Sequence, residues 1–302
     1  MDTRSPERTR LETIPASDLI KSWRSDFGID VSELFEGVDK LDLVREERSG
    51  RILFEPPVMG GPEFYQQLRR FNWYHPYYKA EHAAAAAWAP EDGRVLDVGA
   101  GDGGFARHLS GQTYVGLETD QAAVEAMRDG GLDVRPDNMD AWRAAPDFAP
   151  ADLAASFQVL EHIADPDGFV AGMAACLAPG GRLAVGTPDA ESYVAELPDF
   201  MLNAPPHHVA WWTEAALRDL LERAGLRVLK VERFSVEPWE RRLYWMAKIA
   251  KAVRRGRASP AFGRALLIPK ALGWFGAWPL QWTAPRKARG STMLVVAEQA
   301  EP

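Results

Sequence analysis

The stretch VLDVGAGDGGF, residues 95–105, constrains this chain more than any other. An apolar run of strand character enters a glycine-dense turn, and two glycine spacings overlap there. Gly99, Gly101 and Gly104 spell G-x-G-x-x-G, the turn that brings a dinucleotide pyrophosphate against a helix N-terminus. Gly99, Gly101 and Gly103 instead follow Asp97 as D-x-G-x-G-x-G. Either spacing needs a strand before the turn and a helix after it, so the stretch predicts the opening of a doubly wound α/β sheet.

The rhythm beyond Pro90 agrees with that opening. RVLDVG, TYVGLE, LDVR, DLAASF, RLAVGTP, LRVLKVERF and STMLVVAEQ read as seven strands. GGFARHLS, DQAAVEAMRDGG with Asp120 as its cap, DPDGFVAGMAACLAPGG and TEAALRDLLERAG read as the helices between them. Strands alternating with helices imply an α/β fold with a doubly wound, mostly parallel sheet. Upstream, residues 1–15 read as a disordered tail and RILFE as a strand, while EFYQQLRRFNWYHPYYKAEHAAAAAWAP reads as a helix interrupted at Pro76. The expected organisation is a helical N-terminal extension over 1–89 and a ligand-binding domain over 90–302. That domain carries a basic, aromatic helical insert at 237–290, before its last strand. Tyr65, Tyr74, Tyr77 and Tyr78 in the extension suit either a substrate lid or packing between helices.

Charge separates the two candidate ligands of the glycine turn. Asp97 at the strand end and Asp102 within the turn would repel a pyrophosphate. Both would favour S-adenosylmethionine, whose ammonium and sulfonium groups are positive. Glu118, ending the second strand, is placed to accept both hydroxyls of a ribose, a role shared by dinucleotide folds.

VLDVGAGDGGF, YVGLETD, FQVLEHIADP and LAPGGRLAVGTPD together resemble class I S-adenosylmethionine-dependent methyltransferases, in the group similar to the ubiquinone-biosynthesis O-methyltransferases. The resemblance covers about residues 90–236 and the last strand. It implies a Rossmann-like methyltransferase fold with a seven-stranded sheet whose last strand runs antiparallel. By that resemblance Asp97, Gly99, Gly101 and Gly103 wrap the methionine end of the cofactor and Glu118 holds its ribose. Adenine contacts fall to Asp137 and Asn138, with Asp140 second, and Gln158 faces the methionine moiety. In the related enzymes E-x-x-E-H after the fourth strand can hold a divalent metal. Here Gln158 replaces the first acid and only Glu161 and His162 match, so a divalent metal stays open as the less favoured reading.

Methyl transfer to a hydroxyl usually needs a general base near neutral pH, and histidine suits that role. His162 lies just past the fourth strand, and His207 and His208 lie in NAPPHHVAWW, a loop able to cover a substrate. Adjacent side chains in extended backbone point opposite ways, so one of His207 and His208 is expected to face the cofactor. The expected function is an O-methyltransferase acting on a hydroxyl of a glycan, lipid-linked glycan or natural product. A methyltransferase for a prenylated quinol or phenol is the alternative within enzymes, and a non-catalytic, membrane-docked cofactor-binding module the alternative outside them.

Net charge is −8, which argues against a nucleic-acid partner held by a general basic field. Residues 241–290 hold twelve Lys and Arg and no Asp or Glu, a local +12, and four of the eleven tryptophans. RRLYWMAKIAKAVRRG, drawn as a helix, places Trp245, Met246, Ile249, Ala250 and Val253 on one side. Such a helix suits the surface of an anionic membrane, and the opposite charges also suit a homodimer contact. ALLIPKALGWFGAWPLQW follows, broken by Pro269 and Pro279 and too short to span a bilayer. MDTRSPERTRLETIP has no apolar signal region, and the single cysteine, Cys176, reads as a buried hydrophobe. These features predict a cytoplasmic protein in peripheral contact with the inner face of the membrane.

Overall fold

The computed structural model describes residues 7–71, 79–197, 200–253, 262, 267–283 and 288–299. The chain begins with β1 (Arg8–Pro15), α1 (Ala16–Phe27), β2 (Lys40–Glu46), β3 (Ile52–Glu55), α2 (Pro62–Leu68) and α3 (Ala80–Ala86). It continues through β4 (Arg94–Val98), β5 (Thr113–Leu117), α4 (Gln121–Asp129), β6 (Val134–Arg135), α5 (Met139–Ala144), β7 (Ala151–Phe157) and α6 (Pro166–Ala175). β8 (Leu177–Pro188), β9 (Ala210–Trp211), α7 (Glu214–Arg223) and β10 (Leu226–Ser235) follow, then α8 (Arg241–Val253), α9 (Leu267–Ala277) and β11 (Arg289–Gln299).

Seven strands form one sheet in the order β10-β11-β8-β7-β4-β5-β6. The pairs β4–β5, β4–β7, β5–β6 and β7–β8 are parallel. From β4 the chain winds outward through β5 and β6 on one side, then returns to β7 and β8 on the other. β4 is therefore the point where the winding reverses, and in such sheets ligands sit beyond the carboxyl ends of the strands at that point. Its central position follows from its residues, since Val95, Leu96, Asp97 and Val98 are all buried.

Two compact units divide the chain: residues 68–187, 217–232 and 293–302 form one, and residues 1–67, 188–216 and 233–292 the other. In the first, the helices between the strands begin where their caps stand. The carboxylate of Asp120 accepts from the Ala123 N–H at 2.8 Å, Asn138 Oδ1 from Ala141 at 2.9 Å, and Asp165 Oδ1 from Gly168 at 3.0 Å. GGFARHLS gives a single 3₁₀ turn, Ala106–His108, rather than a full helix. Its paired glycines carry a high entropic cost in a helix, and Leu109 is already extended. Cys176 is fully buried, as expected.

The second unit departs from the expected helical extension. It holds a four-stranded sheet, ordered β1-β2-β3-β9, in which Ile14 faces Leu41, Leu43 faces Phe54 and Leu53 faces Ala210. Residues 8–15, expected in a disordered tail, are an edge strand. Its apolar signal is faint because only Ile14 is buried; polar pairs hold it instead, Arg8 with Glu46 and Glu55, and Thr13 with Asp42. α1 buries Trp23 completely, and its indole N–H donates to the Pro205 carbonyl at 2.9 Å. The expected Pro76 interruption and Tyr74, Tyr77 and Tyr78 lie outside the described residues; Tyr65 packs edge-on against Phe64.

In the same unit α8 and α9 pack against each other. The start of α8 is tied down by the buried Glu240, which accepts from Tyr193 Oη at 3.0 Å, from the Ser291 N–H at 2.8 Å and from the Glu237 N–H at 2.7 Å. Pro269 does not break α9, because it falls in the first turn, where the missing N–H has no helical partner to lose. No described helix is long and apolar enough to cross a membrane.

Candidate ligand-binding site

Backbone angles decide between the two glycine spacings. Gly99, Gly101 and Gly103 have φ of 78°, 61° and 72°, the left-handed region that glycine enters without steric cost, whereas Gly104 is not among the positive-φ residues. The turn is therefore built on the D-x-G-x-G-x-G spacing. A Cβ at Gly99 would run into Val159 Cγ2, and one at Gly103 would lie 2.7 Å from Leu132 Cδ1. At Gly101 the nearest atom is 4.0 Å away, so that position faces open space. The N–H groups of Gly99 and Ala100 both donate to the Leu117 carbonyl, at 2.8 and 3.0 Å, which fastens the turn to the end of β5.

Two carboxylates frame the turn. Glu118 accepts from the Gly101 N–H at 2.9 Å through Oε2 and from the Asp120 N–H at 2.9 Å through Oε1. Asp97 is buried and accepts from Tyr114 Oη at 2.9 Å. Burial pushes the Asp97 carboxyl up to about 7, with the negative charges of Glu118 and Asp102 adding to the rise and the Tyr114 hydroxyl opposing it. The arrangement is an electronegative pocket floor that a cationic group would relieve. Tyr114, whose own proton is held more tightly by the same surroundings, carries no sequence signal beyond its place on β5.

The neighbouring strand end is shaped by Gln158, the only described non-glycine residue with positive φ, at 57°. Its backbone N–H donates to Gly186 at 2.8 Å and its side-chain amide donates to Glu81 Oε1 at 3.1 Å. Strained backbone of this kind concentrates at functional sites. Glu81 itself is buried on α3 and was missed by sequence reasoning, as was His82 beside it. The His82 ring lies 4.6 Å from Phe157 and is held neutral by burial, down to about 3. Nothing in KAEHAAAAAW marks these two residues, because only the packing of α3 brings them to the strand ends.

Glu161 and His162 lie in a 3₁₀ turn after β7. Glu161 is buried, accepts from Thr187 Oγ1 at 3.2 Å, and is pushed by burial up to about 8. Asp137 is half-buried in the loop between β6 and α5, while Asn138 is exposed with its side-chain oxygen engaged in capping α5; Asp140 is exposed.

In the other unit His207 and His208 are both buried, and their rings stack at 4.4 Å with 21° between planes. The expectation that they point opposite ways fails, because residues 205–207 form a turn rather than extended backbone. His207 Nδ1 lies 2.8 Å from the Leu202 carbonyl, to which it donates its N–H.

A reversing parallel sheet, a glycine turn at the reversal and an acid just past the next strand define a Rossmann-like fold. A family model described as a methyltransferase domain matches residues 70–231. The chain belongs to that family. It is similar to a protein of Mycolicibacterium smegmatis described as a probable S-adenosylmethionine-dependent methyltransferase, with 35% identity over 44% of this chain and 52% of that one. The chain thus spans about half the length of that relative. A ubiquinone biosynthesis O-methyltransferase of Xylella fastidiosa is 30% identical over 49% of this chain and 67% of its own. Among solved structures, an S-adenosylmethionine-dependent methyltransferase from Mesorhizobium loti is 18% identical, with a TM-score of 0.45 over 73% of this chain and 98% of its own.

Proposed function

We propose that the protein is an S-adenosylmethionine-dependent O-methyltransferase acting on a hydroxyl of a glycan, lipid-linked glycan or natural product. The observation that carries the cofactor assignment is the acid-framed turn of three left-handed glycines at the reversal of the sheet. Asp97 and the turn suit the ammonium of the methionine end, and Glu118 suits the ribose hydroxyls. Gln158 shapes the methionine side through its bond to Glu81, and Asp137 and Asn138 border the adenine end. The bound cofactor would supply an electrophilic methyl group on a sulfonium. The chain's own task is to hold the acceptor hydroxyl in line with that methyl group and to take its proton.

The proton falls to one of His162, His207 and His208; the His207 ring is oriented by its Nδ1 contact with the Leu202 carbonyl, so a proton would be taken at Nε2. Oxygen as the acceptor is supported by the names of the ubiquinone-biosynthesis relatives, which also keep a prenylated quinol or phenol as the second reading. A cytoplasmic enzyme at the membrane surface fits either a lipid-linked glycan or a quinol.

Calorimetry with S-adenosylhomocysteine tests the cofactor assignment. Micromolar-class binding is expected, with none for NAD, and Glu118→Ala should weaken it by about 1–3 kcal/mol through loss of a charged acceptor. Tight NAD binding, or an unchanged affinity in Glu118→Ala, overturns the reading. A tritiated-methyl assay on cell extracts, separating lipid from aqueous products, then distinguishes the acceptors. On the true acceptor one of His162→Ala, His207→Ala and His208→Ala should lose about 10²–10⁴ in turnover while retaining cofactor affinity.

A further inference from the structure

The basic insert reaches the surface differently from its sequence periodicity. On α8 the apolar side is consumed internally: Met246, Ala247 and Ala250 are buried in a cluster with Tyr193, Val194, Leu197, Val236, Ala277 and Ala288. α9 meets α8 through its small residues. A Cβ at Gly273 would lie 2.9 Å from the Met246 carbonyl, and one at Gly276 3.0 Å from Ile249 Cδ1. The opposite side of α9 is therefore turned outward with its large residues. Ile268, Leu272 and Phe275, at i, i+4 and i+7, are 71%, 49% and 75% exposed, and Trp278 and Trp282 beyond the helix are exposed at 62% and 78%. Such a run of exposed aliphatic and aromatic side chains on one face marks a contact surface.

The cations beside it fall into two sets. Lys248 and Lys251 pair with Glu196, and Lys270 with Asp26. Arg241 and Arg242 have no acidic partner among the described residues. The Arg242 guanidinium lies over the Trp274 ring at 3.6 Å and the Trp278 ring at 5.1 Å. Its Nε and Nη2 are buried without a hydrogen-bond partner among the described residues. Arg241 Nη1 donates to the Trp282 carbonyl at 3.5 Å and Trp245 Nε1 to the Thr283 carbonyl at 2.8 Å, so the turn carrying Trp282 is held against α8.

We propose that the outer face of α9 and the turn after it dock on an anionic lipid bilayer. Ile268, Leu272, Phe275, Trp278 and Trp282 enter the interfacial zone, and Arg241 and Arg242 lie at the level of the lipid phosphates. An eleven-residue helix is about 16 Å long, too short to span a bilayer but sufficient to lie in its surface. Charge selects this occupant over a second copy of the chain. A symmetric contact through this face would bring Arg241 and Arg242, which have no acidic partner among the described residues, toward their own copies, whereas anionic headgroups complement them. The inference stands on this face alone, apart from the methyl-transfer reading.

Flotation of the full chain tests it, using phosphatidylcholine vesicles with and without about 30% phosphatidylglycerol. Recovery with the vesicles should require phosphatidylglycerol and fall in high salt. Phe275→Ser with Trp278→Ser, at exposed positions where far-UV circular dichroism should be unchanged, should lower partitioning by about tenfold or more. Arg242→Ala should lower it about fivefold, with the preference for anionic vesicles reduced. Equal recovery from both vesicle types, or undiminished binding by the serine variant, overturns the proposal. So does a concentration-dependent dimer in sedimentation that the serine variant abolishes, which would assign the face to a second copy. Calorimetry with S-adenosylhomocysteine on the same samples keeps this outcome separate from that of the cofactor assignment.

Discussion

Asp97 puts a buried carboxyl group at the glycine turn, where a cation would be welcome. Its proton is held up to about 7, so near neutral pH it is divided between a neutral and a charged form. Only the charged form attracts an ammonium, so affinity for S-adenosylhomocysteine should rise as pH increases from about 6 to about 8 and then level off. Asp97→Asn should weaken binding and flatten this dependence. Tyr114→Phe removes the hydrogen bond that favours the carboxylate, so the midpoint should move to higher pH. Calorimetry across that range checks all three, and a flat wild-type profile would separate the carboxyl group from ligand binding. Glycine is constrained more narrowly. Gly99→Ala demands a left-handed alanine and a clash with Val159, and should cost both stability and ligand affinity, whereas Gly101→Ala faces only the strain of its φ.

Between elements, what was legible depended on whether the neighbour was implied by the pattern. β4 and β7 are apolar runs buried on both faces, which only a covered parallel sheet accommodates, so the winding could be read before any coordinates. The cap at Asp120 and the acid at Glu118 lie within a few residues of the turns they serve, and local spacing found them. β1 was hidden because an edge strand fastened by ion pairs has no alternation to read. Glu81 was hidden because its partner Gln158 is 77 residues away. α8 was misread in one respect: periodicity reveals that a helix has an apolar face but not what covers it, and here α9 does. That packing makes a prediction of its own. At Gly276 the obstructing atom is the mobile end of Ile249, so Gly276→Ala should be neutral or stabilising by up to about 1 kcal/mol from helix propensity. At Gly273 the obstruction is the Met246 backbone, so Gly273→Ala should lose about 1–3 kcal/mol as the helices are forced apart. Chemical denaturation of the two variants should separate them in sign or at least in size.

For the molecule as a folding unit, three buried groups near the strand ends set an unusual pH profile. Asp97 and Glu161 have folded values raised to about 7 and about 8, from ordinary values of 3.8 and 4.5. Each therefore binds a proton in the folded state that the unfolded chain has already released. The stability each contributes is complete below its unfolded value and is lost as pH rises through its folded one. His82 acts in the opposite sense. Its folded value is lowered to about 3 from 6.5, so the unfolded chain gains a proton the folded one refuses, and stability rises with pH up to about 6.5. From about pH 5 to 6.5 the histidine cancels one of the two carboxyl groups. Above 6.5 it no longer does, but Asp97 ionises near 7, so the decline is steepest around pH 6.5–7 and Glu161 alone carries it on to about pH 8. Denaturation midpoints of the ligand-free protein should thus fall from about pH 5 through neutrality, ease as pH approaches 8, and level off beyond it. Glu161→Gln keeps the shape of the side chain and its place beside Thr187 but cannot ionise, so it should remove the upper part of the fall. Saturating S-adenosylhomocysteine should shrink the part due to Asp97, because its ammonium favours the ionised form. A stability that rises steadily from pH 5 to 8 in the ligand-free protein would show that neither carboxyl group is buried in its neutral form.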